Sequence, residues 1–174
     1  MKLHDVFDFI ISINEMFNTK INIDSWKDNG NKRVGHIKIN DADYYINLEP
    51  HDYNFNDKKI NFINVSFDKL VNGTKTQELT YDNKSGSKVI GAIFNAILEE
   101  ISKYEVDAIV FIALDNVEKR MRIYNSLIGK ITNFLSYKEN VKLPNNSSMT
   151  IIFNNKFPIN SRNEFEEHLK NIEK

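Results

Sequence analysis

The segment Val106-Asp107-Ala108-Ile109-Val110-Phe111-Ile112-Ala113-Leu114 carries no polar side chain after Asp107. A strand with one face in water alternates apolar and polar residues, so an apolar run without alternation predicts a central strand covered on both faces. Helical patterns flank it. On one side, residues 85 to 103 place Val89, Ile93, Phe94, Ile97 and Ile101 on one stripe, with Lys84, Lys88, Glu99 and Lys103 left to face water. On the other, Asp115 and Glu118 form a D-x-x-E start for a helix whose stripe is Val117, Met121, Tyr124, Ile128 and Ile131.

Upstream, Leu3, Val6, Phe7, Ile10, Ile11 and Phe17 have helical spacing for one buried face. Strand patterns follow at 21 to 26, 33 to 39, 44 to 48 and 60 to 67. They are separated by Asp28-Asn29-Gly30-Asn31, by Asn40-Asp41-Ala42-Asp43 and by the polar stretch from His51 to Lys59. Short connections rich in Asn, Asp and Gly tolerate positive φ, so they predict antiparallel hairpins and a meander. A closing hairpin is expected from Phe134 to Tyr137 or beyond and from Met149 to Phe153, turned by Leu143-Pro144-Asn145-Asn146. Ser161-Arg162-Asn163-Glu164 reads as a capping box opening a last helix, with Phe165, Leu169 and Ile172 inward. No linker or repeat interrupts the chain, which predicts a single domain over 1–174.

With 174 residues the chain can bury about 70% of the surface its unfolded form exposes, without disulfide or metal. The absence of cysteine excludes thiolate chemistry and points to a reducing compartment. A net charge of -1 gives no general attraction to phosphate backbones, so nucleic acid is not an expected partner. There is no signal-peptide pattern at Met1-Lys2-Leu3-His4-Asp5 and no apolar run of membrane-spanning length, so the expectation is a protein that is neither secreted nor transmembrane.

The order helix, meander, Gly-containing turn, helix, buried strand, helix and closing hairpin is similar to the GNAT acyltransferase architecture. The resemblance implies an α/β (α+β) domain with a mixed, mostly antiparallel sheet, helices on both faces, and middle strands near 60 to 67 and 106 to 114. In that family a [Q/R]-x-x-G-x-[G/A] loop at a helix N-terminus wraps the pyrophosphate of acetyl-CoA with backbone N–H groups. The matching stretch is Asn83-Lys84-Ser85-Gly86-Ser87-Lys88, in which Gly86 fits, while Asn83 and Lys88 depart from the pattern. Arg120-Met121-Arg122-Ile123-Tyr124 looks like the R-x-x-[L/I]-Y segment of small phage-encoded proteins with a GNAT-like layout, and Gly86-Ser87-Lys88-Val89 with Phe94 is a loose counterpart of their glycine run.

Each candidate residue has two readings. Lys84, Gly86, Ser87 and Lys88 are either a cofactor-binding cradle or an ordinary turn before a helix. Tyr124 is either a general acid for a departing thiolate, as the resemblance implies, or a packing tyrosine beside Met121 and Ile128. An acyltransferase would also need a base, for which His36, Glu49, His51 and Asp68 are candidates. His4, His36, His51 and His168 show no metal-ligand spacing, so no metal is expected. No G-x-S-x-G turn supports a serine nucleophile. Lys119, Arg120, Arg122 and Lys130 give the second helix a basic face that solvent alone can satisfy. Asn-x-Ser/Thr matches at Asn64, Asn72, Asn83, Asn145 and Asn146 are chance in so Asn-rich a chain.

The departures at Asn83 and Lys88, with the phage resemblance, imply a non-catalytic protein that acts through protein contacts in a virion or in the host cytoplasm, with no cofactor. The alternative is an acetyl-CoA-dependent N-acyltransferase.

Overall fold

The structure is a computed structural model that describes residues 23–39, 41–55, 58–76, 83–103, 105–113, 137–142, 147–157 and 161–172. In chain order the elements are β1 (Ser25–Asn29), β2 (Lys32–Ile39), β3 (Ala42–Phe55), β4 (Lys58–Val71), β5 (Thr74–Thr76), α1 (Asn83–Lys103), β6 (Ala108–Ala113), β7 (Tyr137–Lys142), β8 (Ser148–Phe153) and α2 (Arg162–Ile172). The hydrogen-bonded order is β1-β2-β3-β4-β6-β8-β7, with β5 also on β4. The β4–β6 pairing is parallel, whereas β1–β2, β2–β3, β4–β5, β6–β8 and β7–β8 are antiparallel.

Turn chemistry sets two of these registers. Asn29 pairs with Lys32, leaving Gly30-Asn31 as a two-residue loop with Gly30 at φ +62°, the positive value a type II′ turn needs at its first central position. Val71 pairs with Thr74 across Asn72 (φ +50°) and Gly73 (φ +79°), the double positive φ of a type I′ turn. The chance glycosylation match at Asn72 is thus a hairpin signal.

The chain divides into two compact units, Met1–Leu48 with Phe67–Tyr104 and Glu49–Ser66 with Glu105–Lys174, and β3 and β4 each contribute to both. In the first unit α1 lies against β2. The fixing contact is Arg33 Nη1 to Glu100 Oε2 at 2.9 Å, with Glu100 only 3% exposed. Arg33 also stands 4.2 Å above the Trp26 ring and 3.7 Å from Glu99, while Lys103 holds Glu99 from the next turn, and its hydrogen bond keeps the Glu99 carboxyl below its ordinary pKa. Trp26 reaches this position because residue 35 is glycine: a Cβ there would meet Trp26 at 3.0 Å and Ile23 at 2.9 Å. Strand alternation then places Ile37 and Ile39, with Leu48, Ile46 and Tyr44 across the register, on the same side as Arg33. These five are buried, as are Val89, Ile90, Ile93 and Ile97 of α1.

In the second unit Ala108, Ile109, Val110 and Phe111 are each 1% exposed or less, so β6 is covered on both faces as its composition predicts. Ala108 and Val110 join Ile60, Phe62, Met149, Ile151, Phe153, Phe157, Phe165 and Leu169 in one cluster beneath α2. The entry to β6 is stitched by polar groups. Asn61 N–H donates to the Asp107 carboxylate, Asp107 N–H to the Asn61 carbonyl, and Asn154 N–H and side-chain amide to the carbonyls of Asp107 and Val106.

The GNAT-like layout implied by the resemblance is corrected by this arrangement. The described residues are dominated by strand, with two helices and eight strands, and form an α+β sheet rather than an α/β sheet with helices on both faces. The reason lies in two segments. The polar stretch 51 to 59, expected as a connection, mostly extends β3 and β4 to 14 residues each, because half of its side chains can point to water while its backbone pairs. The Gly-containing turn expected at 83–88 is instead the opening of α1, which begins at Asn83. The helix predicted near Leu3 to Phe17 and the one carrying Tyr124 lie outside the described residues.

Phe111→Ala should cost about 3–5 kcal/mol through lost burial and a residual cavity, measured by urea denaturation; a loss below about 1 kcal/mol would contradict its place in a two-sided core. Arg33→Ala, which strands the Glu100 carboxylate, should cost about 3 kcal/mol, whereas a paired Arg33→Met, Glu100→Leu exchange should recover most of that loss. A double variant as unstable as the single would show that packing of the arginine stem, not charge, holds α1.

Candidate functional site

Fixing Arg33 toward α1 sends the alternate residues of β2 and β3 to the other side of the sheet in the first unit. His36 lies opposite Tyr45, and Asp43 is the diagonal neighbour across the pair. His36 Nε2 and Asp43 Oδ1 are 2.8 Å apart, and the His36 and Tyr45 rings are tilted at 37° with centroids 5.2 Å apart. The His36 and Asp43 side chains are 32% and 36% exposed. With Nε2–H donating to the carboxylate, Nδ1 is left as an acceptor; once protonated, the ring becomes half of an ion pair. Beside them Asn47, itself 2% exposed, donates from Nδ2 to Asp68 Oδ2 at 3.2 Å, and Asp24 Oδ2 accepts from the Lys38 backbone N–H.

His36 and Asp43 are ordered and accessible together. His36 is held from two directions, which lowers the entropy it would lose on contact with another molecule. It lies on a sheet surface, whereas small-molecule sites are concave and enclose most of their ligand. Among the described residues no group of three or more His, Asp or Glu side chains is arranged to hold a metal ion.

The sequence candidates are distributed unevenly over this geometry. His36 and Asp68 fall on the row. Glu49 and His51 belong to the second unit, where they approach each other at 3.8 Å and His51 stacks on Phe62 at 5.1 Å. Lys84, Gly86, Ser87 and Lys88 occupy the first turns of α1, with Lys88 exposed. From Ser87 onward the backbone N–H groups turn back to carbonyls four residues earlier, as α-helical geometry requires. Tyr124 lies outside the described residues. No described helix is long and apolar enough to cross a membrane.

Asp43 was missed in the sequence because it stood in a segment read as a connection. The strand register, which pairs Ile39 with Ala42 and Lys38 with Asp43, brings Asp43 diagonal to His36. Compared with protein families, with curated proteins and with solved structures, the chain shows no match in any of the three.

Because both partners are about one-third exposed, Asp43→Ala should change stability by no more than about 1 kcal/mol in thermal or urea melts. A larger loss would mark the pair as structural and remove it as a functional surface.

Proposed function

We propose that the protein works through contact with a protein partner, and that the His36 side of β2 and β3 in the first unit makes that contact. One observation carries this reading: His36, Asp43 and Tyr45 form a row that is held in place yet still one-third exposed at His36 and Asp43. Tyrosine is among the residue types that dominate interface energetics, and a rigid sheet presents it with little conformational freedom to lose. The exposed Lys38 at the end of the row supplies a charge of the kind found at interface rims. The likeness of Arg120–Tyr124 to phage-encoded proteins supports a virion or an infected host's cytoplasm as the setting.

The test places a photoreactive phenylalanine analogue at position 45 and, as a control, at the exposed Lys156 in the second unit. On irradiation in the cells that make the protein, position 45 should yield a discrete cross-linked species that position 156 does not. The adduct should disappear when His36 and Asp43 are both replaced by alanine in a chain that still melts cooperatively. Equal adducts from both positions would overturn the assignment of the surface. Acetyl-CoA serves as the opposing probe: a ligand at about 100 times its Kd stabilises the folded chain by about 2.7 kcal/mol, and a melting shift of that order would replace this reading with an acyl-transfer enzyme.

A further inference from the structure

The second unit carries a histidine on α2 that the contact surface does not use. His168 lies flat on Tyr53 of β3, ring centroids 3.7 Å apart and planes at 26°. Tyr53 packs in turn against the cluster beneath α2 and tilts toward Phe165 at 6.2 Å. This stack is a contact between the C-terminal half of α2 and the sheet, next to the buried Leu169.

Several other charged groups on these elements are already committed. Asp52 of β3 pairs with Lys59 of β4 at 2.9 Å, and His51 faces Glu49 while stacking on Phe62. On α2, Lys170 is held by Glu166 and Glu167, which push it up to about 12, and Glu164 is exposed one turn before His168. At the far end of the helix Arg162 lies over Phe153. Among the described residues no carboxylate pairs with His168.

We infer that the C-terminal half of α2 is a proton-sensitive latch, docked on β3 while His168 is neutral and released when His168 takes up a proton. Charging the imidazole would strip water from an ion on its stacked face. The negative face of the Tyr53 ring returns part of that loss. Burial is the larger influence, and it holds His168 below its ordinary value of 6.5. The unfolded or undocked helix therefore binds the proton first as the pH falls. Docking is complete above 6.5 and weakens as the pH drops toward the folded-state value. The inference stands apart from the proposed contact surface, which lies in the first unit.

Hydrogen exchange on the full chain tests it, with rates corrected for the intrinsic effect of pH. In the wild type, amides from His168 onward should lose protection on acidification through the histidine range while α1 keeps its own. His168→Phe preserves a stacked ring but cannot titrate, and its α2 should show no such loss. Equal pH dependence in the two proteins, or none in the wild type, would overturn the latch. Should the phenylalanine variant not fold, the imidazole of wild-type His168 can be titrated by NMR: a midpoint below that of a free histidine is expected, and one at or above it would overturn the proposal.

Discussion

A carboxylate cannot enter the interior of a protein of this size alone, and Glu100 enters it against Arg33. That contact decides which side of β2 is inward. Once Arg33 faces α1, alternation places Gly35, Ile37 and Ile39 inward and His36 and Lys38 outward, and the β2–β3 register carries the choice to Tyr45 and Asp43. A one-residue slip would exchange the two sets and bury the polar row. The exposed surface on which the proposed function rests therefore faces away from a part-buried ion pair on the opposite side of the same strands.

The second unit is held by a different device. Aromatic rings from β4, β8, the 154–157 turn and α2 meet in one layer, with Phe165 edge-on to Phe62 at 5.2 Å and close to Phe153 and Phe157. Edge-to-face and tilted contacts of this kind add specificity to the burial itself. At the start of β6, where a parallel pairing and an antiparallel one begin together, Asp107 and Asn154 satisfy backbone groups that would otherwise be left without partners. Asp107 is the polar residue that precedes the apolar run, and its carboxylate has a structural task.

Much of this architecture was legible in residue order. The unalternating β6, the apolar stripe of α1, the Gly30 turn, the closing hairpin and the capping box before α2 each have a local cause, and each element forms within a few residues of its expected place. The failures also have causes. Residues 51 to 59 look like a loop because their composition is polar, yet a strand needs backbone partners more than apolar side chains. The 83–88 segment looks like a turn because of Gly86, yet helix propagation from Asn83 absorbs a glycine at a cost of only about 1 kcal/mol. With that turn absorbed, the layout implied by the GNAT resemblance gave way to a strand-dominated one.

What the sequence determined by itself was local: which segments could bury a face, where φ had to be positive, and which side chains were available to titrate. His36 and Asp68 were visible as candidates for that reason, but nothing in their spacing joined His36 to Asp43 or Asn47 to Asp68. Tertiary structure decided those partnerships, because they depend on strand register and on the inward choice made by Arg33 and Glu100, residues 67 positions apart in the chain. It also decided that His168 would stack on Tyr53, since a helix finds its partner ring only when the apolar layer beneath it has closed.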